Sequence, residues 1–384
     1  MNHLFDFCTS ESQKKKLESY IRLKTVRLVA DELGICHQNV SKTIRILKKR
    51  AAESGIAPEA DMIHGAAEGF NIKGVSTYYD QDGQVKGQWV KTQNKGFSYE
   101  DVADVFNEAL SDFTCQPTEK PTHTDKELLA VYPMGDPHIG MYAWSEESGE
   151  DFDLKIASDD LRKATNALVD RSPPAETAVI LNLGDFFHSD NMQNRTARSG
   201  NALDVDGRWA KVLKTGIELM IEITISALKK HDNVVVKNII GNHDDHSSIF
   251  LGLAMQKYFH NEPRVTVDCQ PAKYWFYQFG KVLIGSTHGD TAKPDKLPQI
   301  MAADRPKEWG DTEYRYWYTG HIHSRNSIEF VGCTWESFRN LAPNDSWHQG
   351  MGYRSGKDMS CILIHKDFGE IGRNTASLKM VRSK

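Results

Sequence analysis

Five short clusters of Asp, His and Asn each follow an apolar stretch of the chain. They are Gly135-Asp136-Pro137-His138, Gly184-Asp185-Phe186-Phe187-His188, Gly241-Asn242-His243-Asp244, Thr287-His288-Gly289-Asp290 and Gly320-His321-Ile322-His323. These side chains are hard or borderline ligands that suit divalent first-row metals. No single cluster closes a metal shell, but together they offer about enough ligands for two ions. The pattern therefore predicts a two-metal site.

The apolar stretches before the clusters predict buried strands. They cover residues 128–132, 178–180, 234–236, 282–284 and 316–318 and are rich in β-branched or aromatic side chains. Open α/β sheets place their ligands at the carboxyl ends of the strands, so the clusters are expected to meet there. If the chain continues in extended form, the Asp-x-His and His-x-His spacings put both side chains of a pair on one face.

Helical periodicity lies between these strands, at residues 158–169, 209–230 and 247–259. Residues 274–286 predict a hairpin on a second sheet, and residues 359–364 predict one more strand. Strands that alternate with helices predict a layered α/β core.

Composition is typical of a globular protein, with 39% hydrophobic and 26% charged residues among 384. No apolar run approaches membrane-spanning length, residues 1–10 lack a secretory signal pattern, and six scattered cysteines favour reduced thiols in the cytoplasm. The net charge of −5 is uneven: residues 1–55 hold eleven basic and six acidic residues, a net +5, and the remainder carries −10. A basic head on an acidic body favours a polyanionic partner for the head.

The head has the pattern of two helices joined by a tight turn. Residues 25–33 and 39–51 show helical periodicity, and Gly34-Ile35-Cys36 separates them. Residues 29–49 resemble the helix-turn-helix DNA-binding module of sigma factors and response regulators. The residues expected to face the major groove or its phosphates are His37, Gln38, Asn39, Ser41, Lys42 and Arg45. The alternative is a helical hairpin that is merely solvated or binds another protein.

Residues 70–92 predict a β-hairpin around an Asp-Gly turn. This stretch resembles a segment that recurs in tailed-phage proteins, which points to a phage or prophage source. Its aromatic residues could stack on bases, but packing within the hairpin's own core is the favoured expectation. Residues 99–113 predict a helix, and the Pro- and Thr-rich stretch that follows predicts a linker.

The five clusters, in this order, resemble the calcineurin-like metallophosphoesterase superfamily over residues 128–364. The resemblance implies a sandwich of two mixed sheets flanked by helices. It also implies one metal on Asp136, His138 and His323, a second on Asn242, His288 and His321, a bridging Asp185, and His243 at the scissile phosphate. Mn²⁺ is the expected metal, and Zn²⁺ or Fe would also fit these ligands.

The expected organisation follows from these assignments. It has a helix-turn-helix domain at residues 1–60, a hairpin and helix at 61–113, a linker at 114–126 and a metallophosphoesterase domain at 127–384. Loop residues that could reach substrate are Arg195, Arg198, Arg208, Trp347 and Arg354, although solvated loop charge is the default for such arginines.

One local feature narrows the substrate. Asp185-Phe186-Phe187-His188 resembles the corresponding block of SbcD-type DNA repair nucleases, which implies that His188 orients His243. SbcD-type nucleases carry a C-terminal capping region and bind an ATPase partner, whereas only about thirty residues follow Gly356 here. The chain also has no Walker A motif, so an ATPase partner is not supported.

Three functions stay open at this point. The first is a metal-dependent DNA nuclease, acting on DNA as an endo- or exonuclease and guided by its head. The second is a phosphodiesterase of small nucleotides whose head binds protein, and the third is a DNA-binding regulator with a vestigial phosphoesterase domain. The sequence leaves a homodimer open and predicts no membrane partner.

Overall fold

The computed structural model describes residues 1–54, 56, 70–80, 82, 85–94, 114–116, 118–196, 200–343, 350 and 354–383. The helix predicted at residues 99–113 lies outside this part of the chain, as do Arg198 and Trp347. The chain divides into two compact units, Met1–Asp112 and Phe113–Lys384.

The first unit opens with a 3₁₀ turn at Asn2–Phe7 and three helices, α1 (Glu11–Leu23), α2 (Val26–Leu33) and α3 (His37–Glu53). Gly34 has φ of 64° and ends α2 in the left-handed conformation that glycine adopts without strain. The predicted pair of helices and the three-residue turn are therefore present, and α3 begins two residues earlier than expected.

The buried face of α3 agrees with its predicted periodicity. Val40, Ile44 and Leu47 are buried, and the six residues predicted to face DNA are exposed. Sequence reasoning missed α1, although Ser10 caps its first turn by accepting the N–H of Gln13. The Ser-x-x-Gln spacing is a capping-box signal that could have revealed this helix.

A hairpin of β1 (Phe70–Tyr79) and β2 (Val85–Asn94) completes the described part of the first unit. The strands are antiparallel, as predicted. The expectation that the hairpin's aromatics pack within it is wrong for two of them, because Tyr78 is 66% exposed and Trp89 is 79% exposed.

The second unit alternates strands with helices. The helices are α4 (Ser145–Ser148), α5 (Leu154–Arg171), α6 (Trp209–Leu228), α7 (Ser247–Tyr258), α8 (Leu297–Asp304), α9 (Pro306–Asp311) and α10 (Leu378–Arg382). The strands are β3 (Asp125–Met134), β4 (Ala175–Asn182), β5 (Asn233–Asn238), β6 (Val265–Asp268), β7 (Trp275–Phe279), β8 (Val282–Ser286), β9 (Tyr314–Thr319), β10 (Asn326–Phe330), β11 (Cys333–Ser337), β12 (Asp358–His365) and β13 (Gly369–Ser377).

These strands form two mixed sheets. The larger has the order β13-β12-β3-β4-β5-β6, in which β3 to β6 are parallel and β12 and β13 are antiparallel to their neighbours. The smaller has the order β10-β11-β9-β8-β7, in which β11, β9 and β8 are parallel. The predicted hairpin at residues 274–286 corresponds to β7 and β8.

The hydrophobic core lies between the two sheets. Side chains from both sheets form one buried cluster, in which Val131 and Val179 come from the larger sheet and Ile284 and Tyr318 from the smaller. Helices α5, α6 and α7 contact the larger sheet, while α8 packs its Met301 against Trp317 of the smaller one. The predicted fold class, a two-sheet α/β sandwich flanked by helices, is confirmed.

The described part of the predicted linker is hydrogen-bonded to the second unit. The Cys115 N–H donates to the carbonyl of Tyr258 at 3.1 Å, and Arg264 donates to the hydroxyl of Thr118 at 2.7 Å. The second unit therefore includes residues that precede β3, among them Cys115 and Thr118. All six cysteines are free thiols, and none of the helices in the described ranges is long and apolar enough to cross a bilayer.

Candidate metal centre

All five predicted clusters lie directly after the carboxyl ends of strands. β3, β4 and β5 of the larger sheet precede the first three clusters, and β8 and β9 of the smaller sheet precede the other two. Because parallel strands end at one edge of a sheet, the two sheets deliver their polar residues to a common place.

The backbone of these clusters is left-handed rather than extended. The φ values are 42° at Asp136, 48° at His138, 50° at Asp185, 68° at His321 and 48° at His323. Positive φ is uncommon outside glycine and costs free energy, so the surrounding contacts must hold it. The expectation of an extended Asp-x-His pair is therefore wrong: each pair converges through a turn and not through strand alternation.

The first group consists of Asp136, His138 and His323. Their potential ligand atoms all lie within 4.8 Å of one another. The Nε2 atoms of His138 and His323 are 3.2 Å apart, and Asp136 Oδ1 is 3.5 Å from His323 Nε2. Two nitrogen ligands, each about 2.0–2.1 Å from one ion, are separated by roughly this distance.

The second group consists of Asp185, His288 and His321, with Asn242 beside them. His288 Nε2 is 3.2 Å from Asp185 Oδ2 and 3.0 Å from Asn242 Oδ1. Asp136 links the two groups, since both of its carboxylate oxygens accept the N–H of His321 at 2.9 Å.

The hydrogen bonding of His288 shows that this group fits a cation. Its Nδ1 lies 2.8 Å from the carbonyl of Leu183, and because a carbonyl can only accept, Nδ1 must carry the proton. In the neutral ring Nε2 then presents a lone pair to the oxygens of Asn242 and Asp185. Three acceptors converge on one point, an arrangement that a proton or a metal ion stabilises.

The electrostatics of the two groups agree with this geometry. Burial alone would raise the pKa of Asp185, but His288 and further histidines lower it well below its usual range. Burial alone would lower the pKa of His288, but the charge and hydrogen bond of Asp185 raise it to about 10. Burial, followed by the charges of neighbouring histidines, lowers the pKa of His138 well below its usual range. A neutral imidazole at His138 is the form that binds a metal.

Glycines allow the clusters to approach one another closely. A Cβ at Gly241 would overlap the carboxylate and backbone nitrogen of Asp185, and a Cβ at Gly320 would lie 2.6 Å from Asp136 Oδ2. Both hypothetical contacts are closer than van der Waals radii allow, so larger residues at Gly241 or Gly320 would displace the candidate ligands.

His243 and His188 lie next to each other, as the resemblance implied. Their rings are stacked with centroids 5.3 Å apart. His243 Nδ1 donates to the backbone carbonyl of His188 at 2.9 Å, while the His188 ring faces His138, with Nδ1 atoms 3.3 Å apart. The backbone carbonyl of His188 therefore holds the ring of His243, and the role of the His188 imidazole stays a prediction.

His188 has an alternative role, because His138, His188 and His243 form a third group of potential ligands within 4.8 Å. In this group His138 would use the opposite ring nitrogen from the one that faces His323. Metal content of single variants distinguishes these roles.

Two buried carboxylates that sequence reasoning missed hold the clusters in place. Asp244 accepts the backbone N–H groups of Phe186 at 2.8 Å and Gly241 at 3.1 Å, among others. Asp190 accepts the N–H of Ser247 at 2.7 Å and thereby caps α7. Asp244 is the last residue of its cluster, although no role was assigned to it, and Asp190 lies two residues after His188; these positions were the available signal.

A cavity of about 510 Å³ opens over the candidate ligands. Its polar lining includes His138, Asp185, His188, Asn242, His243, His321 and His323. Thr196, Asn201 and Leu203 supply part of the opposite wall. Described residues of the segment between His188 and α6 therefore border the site.

The three predicted substrate arginines that the structure describes, Arg195, Arg208 and Arg354, are not among the residues that line this cavity. Arg195 donates to the carbonyl of Gly200 at 2.7 Å within its own loop, and Arg208 precedes α6 as its cap residue. Arg354 is exposed. Solvated or structural charge explains the described positions of Arg195 and Arg208, in line with the default expectation for loop arginines.

No protein-family model and no curated protein sequence matches this chain. Solved structures that align with it include a conserved Streptococcus pneumoniae protein described as a predicted phosphoesterase, with TM-score 0.27 and 9% identity over 65% of this chain and 98% of the other. Chaetomium thermophilum Vps29 aligns with TM-score 0.30 and 11% identity over 65% and 98% of the two chains. PhoD aligns with TM-score 0.33 and 6% identity over 68% and 70%. Similarity at these scores establishes neither activity nor substrate.

Proposed function

We propose that the second unit is a phosphodiester hydrolase that uses two divalent cations, with Mn²⁺ the expected metal. The observation that carries the proposal is the pair of Asp/His groups, linked through Asp136 and Asp185, beneath a cavity open to substrate. The residues that would hold the cations are those that the resemblance implied, and Asp185 would be the ligand shared by both. When bound, two cations supply neutralisation of phosphate charge and activation of water for in-line attack.

The chain's own residues handle the proton. Since Nδ1 of His243 is committed to the carbonyl of His188, Nε2 is the nitrogen left to exchange a proton with substrate in the cavity that His243 lines. A protonated His243 would donate to the leaving oxygen. His243 also holds Asp185 in place, because the backbone N–H of His243 donates to Asp185 Oδ1 at 2.8 Å.

We propose DNA as the substrate, brought to the enzyme by residues 1–55 of the first unit, which carry a net charge of +5. The exposed face of α3, with Lys42 and Arg45, supports this proposal because it offers donors and positive charge to a polyanion. The second candidate is a small-nucleotide phosphodiesterase. The cavity volume of about 510 Å³ favours it, since ordinary small-molecule sites have this size.

One experiment separates these functions. Purified protein is incubated with labelled single- and double-stranded DNA, cyclic and linear dinucleotides, and bis-p-nitrophenyl phosphate, in Mn²⁺, Zn²⁺, Fe²⁺ or chelator. Metal-dependent cleavage of DNA supports the nuclease, and cleavage confined to the small diesters supports the second candidate. If no diester is cleaved with any metal while DNA is bound, the hydrolase proposal is wrong and the chain is a DNA-binding regulator.

A further inference from the structure

One face of the β1–β2 hairpin presents two uncovered aromatic rings. In the strand register Ser76 lies opposite Trp89, Tyr78 opposite Gly87, and Gly74 opposite Lys91. Strand side chains alternate between faces, so these six residues share one face. Tyr78 and Trp89 are diagonal neighbours, about 7–8 Å apart by the geometry of antiparallel pairs. We refer to this face as the aromatic face.

The other face of the hairpin is built differently. Val75 lies opposite Val90, and Thr77 lies opposite Gln88. Gln88 donates to the hydroxyl of Thr77 at 3.1 Å, and Val75, Thr77 and Gln88 are half-buried. Val90 on this face is 37% exposed, so the face is only partly covered, but it carries half-buried and hydrogen-bonded side chains, whereas the aromatic face displays two rings to solvent.

Both glycines of the aromatic face border an irregularity of the strand register, which shifts between Ile72 and Gly74 and again after the Tyr78–Gly87 pair. Neither Gly74 nor Gly87 has positive φ, and a Cβ at either position would meet no described atom within 4 Å. Glycine inside a strand lowers its stability and often marks such a bulge or a place of close approach. Here glycine and serine leave both rings without bulky cross-strand neighbours.

Charge on the hairpin is complementary to phosphate. The two strands carry Lys73, Lys86 and Lys91 and no acidic residue, while Asp80 and Asp82 lie in the turn. Lys91 belongs to the aromatic face itself. The preceding residues 1–55 carry a net charge of +5, whereas residues 56–112 as a whole carry −6.

We propose that the aromatic face binds single-stranded DNA by stacking bases on Tyr78 and Trp89 while Lys91 contacts the phosphate backbone. Flat rings, small neighbours and cationic strands are the combination that binds unpaired nucleotides. In duplex DNA the base faces are stacked inside the helix, so they are not accessible for stacking on Tyr78 and Trp89. The inference deepens the proposed nuclease function by naming a strand state, yet the binding itself requires no hydrolysis.

The test measures binding without cleavage. Fluorescence anisotropy of a labelled 20-nucleotide oligo-dT and of a duplex of equal length is recorded with full-length protein in chelator. Trp89→Ala and Tyr78→Ala should each weaken oligo-dT binding by about 5- to 150-fold, the range found for one lost stacking contact. Trp89→Phe should retain most of the affinity. Lys91→Ala should lower the salt dependence by about 0.7 in log–log slope.

Two control variants separate a lost platform from a lost fold. Phe368→Ala removes an exposed aromatic of the second unit with the same 66% exposure as Tyr78, and it should leave oligo-dT binding unchanged. Gly87→Val adds a residue with high strand propensity in open space, so it should preserve the hairpin but obstruct the ring of Tyr78. Weaker oligo-dT binding by Gly87→Val with unchanged thermal stability supports the platform.

Several results would overturn the proposal. The proposal would be wrong if Trp89→Ala and Gly87→Val both bound oligo-dT with wild-type affinity. It would also be wrong if these variants lost as much affinity for the duplex as for the single strand. Loss of self-association in Trp89→Ala, with oligo-dT binding retained, would assign the face to a second copy of the chain. Hydrolysis of bis-p-nitrophenyl phosphate by Trp89→Ala should equal wild type, so failure of the hydrolase proposal leaves this binding result interpretable.

Discussion

The ring of His243 is oriented by a backbone carbonyl, and this contact predicts different consequences for two neighbouring histidines. His243→Ala removes the proposed proton donor and should lower turnover of bis-p-nitrophenyl phosphate about 10²–10⁴-fold. His188→Ala leaves the carbonyl that holds His243 in place and should have a smaller effect. Turnover and metal content are measured on both variants. Loss of metal from His188→Ala would instead make His188 a ligand, through the group that it forms with His138 and His243.

Asp185 carries the sharpest prediction among the candidate ligands. Its Oδ2 faces His288, and its Oδ1 accepts the N–H of His243. Asp185→Ala should abolish hydrolysis and reduce bound metal, while Asp367→Ala, a change at an exposed acid of the β12–β13 turn, should do neither. Elemental analysis and diester turnover give the two readouts. Near wild-type turnover with two metals bound per chain would contradict the assignment.

Among the residues of the site, the residue types were easier to predict than the backbone conformation. The five clusters could be found from Asp, His and Asn after apolar stretches, because that pattern is written in residue identity. The left-handed φ of Asp136 could not be predicted from the sequence, because a residue before proline favours extended conformations. Its conformation depends on the N–H of His321, 185 residues away in the chain, which both Asp136 oxygens accept.

Among the elements, strands with an apolar or aromatic run were predictable, including the edge strand β7, whereas the edge strands β10 and β13 were not. The apolar runs within β3, β4, β5, β8 and β9 reveal strands that are covered on both faces. In contrast, β10 is largely exposed and β13 has only two fully buried residues, so neither shows a strong apolar pattern. Helices α5, α6 and α7 were found because one face of each is apolar, and their ends shifted by a few residues.

His231 joins three elements of the second unit through a buried hydrogen-bond chain. It follows α6, its Nδ1 donates to the carbonyl of Ala175 in β4 at 2.7 Å, and its Nε2 accepts the hydroxyl proton of Tyr132 in β3 at 2.9 Å. Burial lowers the pKa of His231 to about 4. The unfolded chain therefore binds a proton at higher pH than the folded protein does.

This difference in pKa predicts how stability depends on pH. The contribution of a neutral His231 is fully present above the unfolded pKa of about 6.5 and is lost as pH falls toward 4, by about 3 kcal/mol in total. Urea unfolding of wild type and His231→Gln between pH 7 and pH 4 measures it. The variant should be less stable at pH 7 and should lose less stability on acidification. Parallel pH curves for the two proteins would contradict the assignment.

For the whole molecule, charge distribution predicts a division of labour between the units. Residues 1–55 of the first unit, with a net charge of +5, should provide affinity for DNA, and the second unit should provide hydrolysis through its candidate metal groups. Sequence alone could indicate this division, because charge is a property of composition. The exposure of Tyr78 and Trp89 could not be predicted, since the same alternating pattern also fits a hairpin whose aromatics are packed.

The face of α3 offers the test of this division. Lys42 and Arg45 are exposed on the side opposite Val40, Ile44 and Leu47. Each phosphate that they neutralise releases counterions, so duplex affinity should fall with salt at a log–log slope of roughly −0.9 per contact. The double variant Lys42→Ala/Arg45→Ala should therefore have lower duplex affinity and a flatter slope.

Hydrolysis of bis-p-nitrophenyl phosphate by the same double variant should equal that of wild type, because this small substrate needs no contact with α3. Gel-shift titrations at several salt concentrations, run beside the turnover assay, measure both properties. Val40→Ala, a change on the buried face, controls for loss of helix packing. Equal duplex affinity in wild type and double variant would make the helical pair a protein-binding module, and the small-nucleotide phosphodiesterase would then be the better-supported function.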